Sequence, residues 1–221
     1  MTATDSPIVF IVDDDTRMRA AMQRLLKTVG LDSESFATPE DFLRYKLPNG
    51  PSCLLLDVRL PGMSGLDVQR KLTEAGVQIP VIFITGHGDI PMTVQAMKSG
   101  AMEFLTKPFR DQDLIDAIQQ ALKRDNLTRQ NQNEITELKE RYARLTARER
   151  EVMLLIVSGK LTKQIASTLG TTEITATVHR GQVMHKMQAN SPAELGRIAE
   201  KLKLPATIDY LRSQIADEPL R

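Results

Sequence analysis

A single cysteine, Cys53, occurs in the 221 residues, so no internal disulfide framework holds this chain together. Cys53 lies inside an apolar run, which assigns it to a core as an inert thiol and fits a reducing compartment. Long apolar runs are missing as well. The opening MTATDSP is polar and VFIV is short, so no signal peptide is expected, and nothing approaches the roughly 20 residues of a membrane helix. These absences predict a cytoplasmic protein with no membrane partner. A large charge of one sign is lacking too, since the net charge is only +1. With 41% hydrophobic and 26% charged residues, the composition is that of a soluble globular chain with a core to bury. Repeats and low-complexity tracts are absent. Finally, residues 109–158 contain neither Gly nor Pro, which removes the usual breakers from a long helical stretch.

What is present is unevenly distributed. Residues 1–124 carry 14 Lys/Arg against 16 Asp/Glu, while residues 145–202 carry 8 against 5. An acidic front and a mildly basic back suggest two modules with different partners. In the front module, the runs at 8–12, 31–36, 53–57, 81–85 and 102–106 alternate with helical patterns near 16–28, 39–45, 65–75 and 90–99. Five βα repeats with nearly all-apolar strands predict a doubly wound α/β domain, a five-stranded parallel sheet covered on both faces. The more polar second run suits an edge strand. Ligands of such sheets sit at the carboxyl ends of the strands.

Those ends carry matching chemistry. Asp13, Asp14 and Asp15 follow the first strand, Asp57 ends the third, Thr85 ends the fourth and Lys107 follows the fifth. Carboxylates so close repel unless a cation or proton offsets them, and hard oxygen ligands suit Mg²⁺ and phosphate chemistry. Each residue alone has a plainer reading. Asp15 is expected to cap the helix near Arg17, Thr85 is a plausible strand residue, Lys107 a surface charge, and Phe104 simple core. Four strand ends supplying compatible groups argue instead for a phosphoryl-binding site.

The motifs IVDDD (11–15), LLLDVRLPGMSGLD (54–67), VIFITGHGD (81–89) and AMEFLTKPF (101–109) make residues 7–124 resemble the receiver domain of two-component response regulators. The resemblance implies a flavodoxin-like fold with strand order 2-1-3-4-5. It implies that Asp57 accepts phosphate from a sensor histidine kinase. Asp14, Asp57 and the main-chain carbonyl of Arg59 would hold Mg²⁺, with Asp13 on a metal-bound water. Lys107 would pair with phosphoryl oxygens, Thr85 would move towards them, and Phe104 would follow, favouring a homodimer in the phosphorylated state. Arg59 and His87 resemble positions that tune phosphate lifetime. Phosphohydrolases with an aspartyl nucleophile commonly place a second Asp two residues later; Arg59 stands there, which favours a phosphoaccepting regulator over an enzyme. Autophosphorylation from small phosphodonors and autodephosphorylation stay within its chemistry.

From Asp111 the pattern turns helical. Residues 125–144 are expected as a long helical linker in which Ile135, Leu138, Tyr142 and Leu145 recur at spacings of 3, 4 and 3. That pattern serves equally as a short dimer seam or as a helix leaning on its own domain. Residues 145–202 read as a small all-α module, and 203–221 as a tail. Within 161–187, two helices flank Gly170. Ile174, Val178, Val183, Met184 and Met187 are assigned to the buried face of the second, leaving Thr175, Thr177, His179, Arg180, Gln182 and Lys186 outside. Hydroxyl, amide and cationic groups on one helix suit the major groove. LTAREREVM (145–153), KQIASTLG (163–170), TVHRGQVMHKM (177–187) and SPAELGRIA (191–199) resemble the LuxR-type helix-turn-helix of NarL/FixJ response regulators. That implies promoter DNA as a partner, with RNA polymerase a further candidate. Lys163, Arg180 and Lys186 are expected on phosphates, with Thr175, Thr177, His179 and Gln182 as weaker candidates. The family commonly has basic residues where this chain has Ile174 and Thr177, and fewer cations weaken phosphate binding. A receiver-controlled protein-interaction module without specific DNA binding is the alternative.

Overall fold

The computed structural model describes residues 6–86, 94, 96–98 and 100–204. His87, most of the helix expected over 90–99 and the tail beyond 204 lie outside the described residues. The chain divides into two compact units, 1–130 and 131–221.

The first unit contains β1 (Ile8–Val12), α1 (Thr16–Thr28), β2 (Asp32–Phe36), α2 (Pro39–Arg44), β3 (Ser52–Asp57), α3 (Gly65–Glu74), β4 (Val81–Thr85) and β5 (Glu103–Thr106). Every strand pairing is parallel and the order is β2-β1-β3-β4-β5. Continuous apolar runs are needed here because successive side chains point to opposite faces. Phe10, Val12, Leu54, Leu56 and Phe83 meet Phe42, Val68 and Leu72 on one face. Val9, Ile11, Cys53, Leu55, Ile82 and Ile84 meet Met22, Leu26, Leu114 and Ile118 on the other. β2 is the edge strand, only partly buried along its length. Burial pushes the Cys53 thiol well above the usual range, with the Asp125 charge adding to the effect, so it stays protonated.

One helix, α4 (Asp111–Ala143), follows β5 and runs for 33 residues. Its Asp125 and Arg129, assigned to the linker from sequence, are tied into the first unit. The buried Asp125 carboxylate accepts from the Ser52 N–H at 2.8 Å and from Arg129 Nε at 2.6 Å. Arg129 also donates to the Asn49 carbonyl and the Ser52 hydroxyl. This clamp fixes the amino end of β3, whose carboxyl end carries Asp57. Asp125→Ala should cost the first unit about 2–3 kcal/mol, because a buried N–H and a half-buried guanidinium lose their acceptor. Hydrogen exchange at the Ser52 amide checks it: unchanged protection would refute the clamp.

The second unit contains the last turns of α4, then α5 (Ala147–Val157), α6 (Thr162–Thr168), α7 (Glu173–Met187) and α8 (Pro192–Lys201). Its core joins Val152, Met153 and Ile156 to Ile165, Ala176, Val183, Met187 and Leu195. Leu138 and Leu145 are buried in that same core and Tyr142 packs against it. The apolar seam is therefore used within one chain, where the spacing left a dimer seam open. Asp15 caps α1 as expected, Thr172 caps α7, and Ser191, ahead of Pro192, caps α8. No helix among the described residues is long and apolar enough to cross a membrane.

Candidate functional site

Strand register brings the acidic cluster together. Val12 lies opposite Leu56, Asp57 opposite Ile84 and Thr85 opposite Thr106, so four adjacent strands end at one level. Asp13, Asp14, Asp57 and Lys107 then converge there. One carboxylate oxygen from each aspartate lies within 4.8 Å of the others. Asp13 and Asp57 are buried and Asp14 is exposed, so the cluster has a dry side and an open side.

Lys107 resolves the charge conflict. Its Nζ donates to Asp57 Oδ2 at 2.7 Å and Asp13 Oδ2 at 2.8 Å. Burial works against the ammonium, but the hydrogen bonds it donates to Asp13 and Asp57 outweigh that and raise Lys107 above the ordinary lysine value. The other oxygens serve the backbone: Asp13 Oδ1 accepts from the Asp15 N–H and Asp57 Oδ1 from the Arg59 N–H. These contacts fix both carboxylates in orientation and leave further lone pairs on every oxygen. An all-oxygen donor set with one solvent-facing member fits Mg²⁺.

The neighbours are placed by the same sheet edge. Thr85 is fully buried at the end of β4, and its carbonyl accepts from the Lys107 N–H at 2.7 Å. Phe104 is half-buried beside Phe83 and packs against the core on that face. The Arg59 side chain is exposed. A cavity of about 460 Å³ opens beside Lys107 between α1 and the loop after β5, with Met18, Leu25, Pro108 and Phe109 in its lining.

In the second unit, α6, the turn at Gly170 and α7 form a helix-turn-helix. Lys163, Thr175, Thr177 and Gln182 are exposed, whereas His179 and Arg180 are half-buried. Two sequence assignments change. Ile174 and Val178, placed on the buried face, are instead 79% and 53% exposed. At about 100° per residue, Ile174 stands about half a turn around the helix from Val183, so one face cannot hold both. The actual inner row is Ala176, Val183 and Met187. That arithmetic was available in the sequence, and the apolar character of Ile174 and Val178 obscured it.

Lys186 also has a different task from the one its charge suggested. Its Nζ donates at 2.7 Å to Glu149, a carboxylate that also accepts from the Thr146 N–H at 2.7 Å. Burial alone would raise Glu149, but the Lys186 hydrogen bond and those of Thr146 hold the carboxyl below its usual range. A lowered folded value adds stability above the unfolded value of 4.5 and loses it as pH falls through the folded one. Lys186→Met should therefore cost the second unit about 1–2 kcal/mol near neutral pH, screened because the lysine is 35% exposed. The penalty should shrink below pH 4.5. Chemical denaturation at two pH values checks this, and a pH-independent penalty would show that Glu149 is not involved.

Comparison with known proteins gives the arrangement a context. Residues 9–119 match the response regulator receiver domain, and residues 143–204 match the bacterial regulatory proteins of the luxR family. The chain is 48% identical over 204 residues to Nodulation protein W of Bradyrhizobium diazoefficiens, covering 92% of this chain and 90% of that protein. Response regulator protein TodT of Pseudomonas putida is 46% identical over 196 residues, 89% of this chain and 86% of TodT. Among solved structures, the response regulator StyR matches with a TM-score of 0.82 and 45% identity, over 89% of this chain and 99% of StyR. A five-stranded parallel α/β unit followed by a helix-turn-helix agrees with the two family matches. The chain belongs to the NarL/FixJ family of response regulators, two-component proteins in which a receiver is joined to a LuxR-type DNA-binding domain to regulate transcription.

Proposed function

We propose that Asp57 accepts a phosphoryl group from the phosphohistidine of a sensor kinase, and that this favours a homodimer that binds specific promoter sequences. The observation that carries the reading is the position of Asp57, whose buried carboxylate is held by Lys107 Nζ at 2.7 Å beside Asp13 and exposed Asp14. An oxygen of Asp57 attacks phosphorus, the phosphorus–nitrogen bond breaks and the donor imidazole takes up the electron pair. Asp13, Asp14, Asp57 and the Arg59 carbonyl would hold Mg²⁺, which when bound neutralises charge on the transferring group. Lys107 is within reach of the new phosphoryl oxygens. The cavity lined by Met18, Leu25 and Phe109 offers the donor protein an apolar seat beside it.

The added charge of roughly −1.5 to −2 gives the Thr85 hydroxyl and the Lys107 ammonium a stronger partner than the free carboxylate. Thr85 and Phe104 then form the two-state element that alters the dimer surface. On DNA, Lys163 and Arg180 supply phosphate contacts while Thr175, Thr177 and Gln182 face the groove. His179 and Lys186 recede from that role, because the Nδ1 of His179 is buried and Lys186 holds Glu149.

One observation favours the alternative, a receiver-controlled interaction module: exposed Ile174 and Val178 give α7 an apolar surface. Selection from a random duplex pool, with and without acetyl phosphate, distinguishes the two. Specific sites enriched more strongly by the phosphorylated protein are expected. No specific site in either state would overturn DNA binding.

A further inference from the structure

The outer face of α7 carries little of the chemistry that usually grips DNA. Ile174, Val178, Gly181 and His185 lie along one exposed line, with Thr177 and Gln182 on its flanks. Neither a guanidinium nor an ammonium stands on that line. Thr177 donates its hydroxyl proton to the Glu173 carbonyl at 2.8 Å, so it has a methyl group and acceptor lone pairs left to offer. Gly181 is equally telling. Glycine is unfavourable inside a helix, and a Cβ built there meets nothing within 4 Å, so packing within the chain does not require it. An external surface that approaches closely does.

Accepting the DNA-binding reading proposed above, we infer that α7 reads A·T pairs through the 5-methyl groups of thymine. Ile174 and Val178 supply the apolar contact, and Gly181 lets the helix backbone approach the groove floor. Thymine alone among the bases presents a methyl group in the major groove, and aliphatic side chains are its natural partners. Gln182 fits the same pair, since a glutamine amide bonds both N6 and N7 of adenine. Guanine O6 and N7 would need two donors from an Arg or Lys, which this line lacks. Charge on the rest of the module agrees with a nucleic-acid occupant. Lys160 and Lys163, both exposed, have no ion-pair partner among the described residues and can hold phosphates.

The full-length protein, phosphorylated with acetyl phosphate, is used to select sites from a random duplex pool. The selected duplex is then rebuilt with deoxyuridine in place of thymidine at each position. Half-sites rich in A·T pairs are expected. Each methyl group under Ile174 or Val178 should be worth about fourfold in affinity, the equivalent of about 0.8 kcal/mol. Ile174→Ala should bind the thymidine and deoxyuridine versions of its position equally, with an unchanged melting midpoint because the side chain is already 79% exposed. Gly181→Ala should raise the melting midpoint while weakening DNA binding, a combination that a purely structural glycine would not give. Specific binding indifferent to the methyl groups, or selected half-sites dominated by G·C pairs, would overturn this inference and leave the DNA-binding function intact. Absence of any selected site would instead defeat that function, and α7 would then be a protein-docking face.

Discussion

Asp57→Asn should fold normally and take up no phosphate from acetyl phosphate or from a phosphorylated kinase. The amide is almost isosteric with the carboxylate and its oxygen can still accept from the Arg59 N–H, the bond that Asp57 Oδ1 makes at 2.9 Å. Lys107 keeps Asp13 as a charged partner at 2.8 Å, so the pocket is not left with an unpaired ammonium. What the substitution removes is the anionic oxygen that attacks phosphorus. A neutral amide oxygen is far less nucleophilic, and the loss should reach the limit of detection. Intact-protein mass after incubation with acetyl phosphate and Mg²⁺ reads this directly. The same experiment discriminates among the carboxylates. Asp14 is the most exposed member of the cluster, and Asp13 is fixed by Lys107 and the Asp15 N–H. A phosphoryl group appearing on the variant would mean that one of them is an acceptor, and the assignment of Asp57 would fall.

The receiver was legible in the sequence because its constraints are local and repeated. Strands buried on both faces must be apolar throughout, so IVFIV, CLLLD and VIFIT stand out, and the charges at their ends stand out against them. A parallel sheet puts its strand ends on one edge, and the strand order implied by the receiver resemblance brings together the ends that carry Asp13, Asp57 and Lys107. Other features depended on pairs distant in sequence. Asp125 caps the Ser52 amide 73 residues away, and Lys186 pairs with Glu149 across 37 residues. A polar residue on a helix looks the same in sequence whether it faces solvent or completes a buried ion pair. The helix-turn-helix misled for a second reason. Ile174 and Val178 are apolar for an external purpose, if α7 reads thymine methyl groups, and a periodicity argument counts every apolar residue as core. Surfaces built to bind are where hydrophobic pattern and burial part company.

Gly65→Ala should be the most damaging small substitution near the site, although residue 65 carries no functional group. Gly65 is the first residue of α3, and its N–H donates to the Val58 carbonyl at 3.0 Å, drawing the start of the helix down onto the end of β3. A Cβ there would stand 2.4 Å from the Asp57 carbonyl oxygen and 3.1 Å from both Leu56 Cγ and Phe83 Cε1. The obstacle at 2.4 Å is backbone, which cannot rotate aside as a flexible side chain could. Either α3 lifts or the Asp57 backbone moves, and overpacking of this kind costs about 1–3 kcal/mol. Movement of Asp57 also disturbs the 2.7 Å contact with Lys107 and the spacing to Asp13 and Asp14. The phosphorylation rate of the folded fraction should therefore fall, roughly 10-fold or more, since small misplacements of reacting groups are expensive. Asp125→Ala supplies the control. It removes comparable stability at the opposite end of β3 and touches none of the phosphate-site residues, so its folded fraction should be phosphorylated at the wild-type rate. If both variants slow phosphorylation equally, general loss of stability explains the effect. If only Gly65→Ala does, the close approach of α3 to Asp57 is what holds the carboxylate in its reactive position.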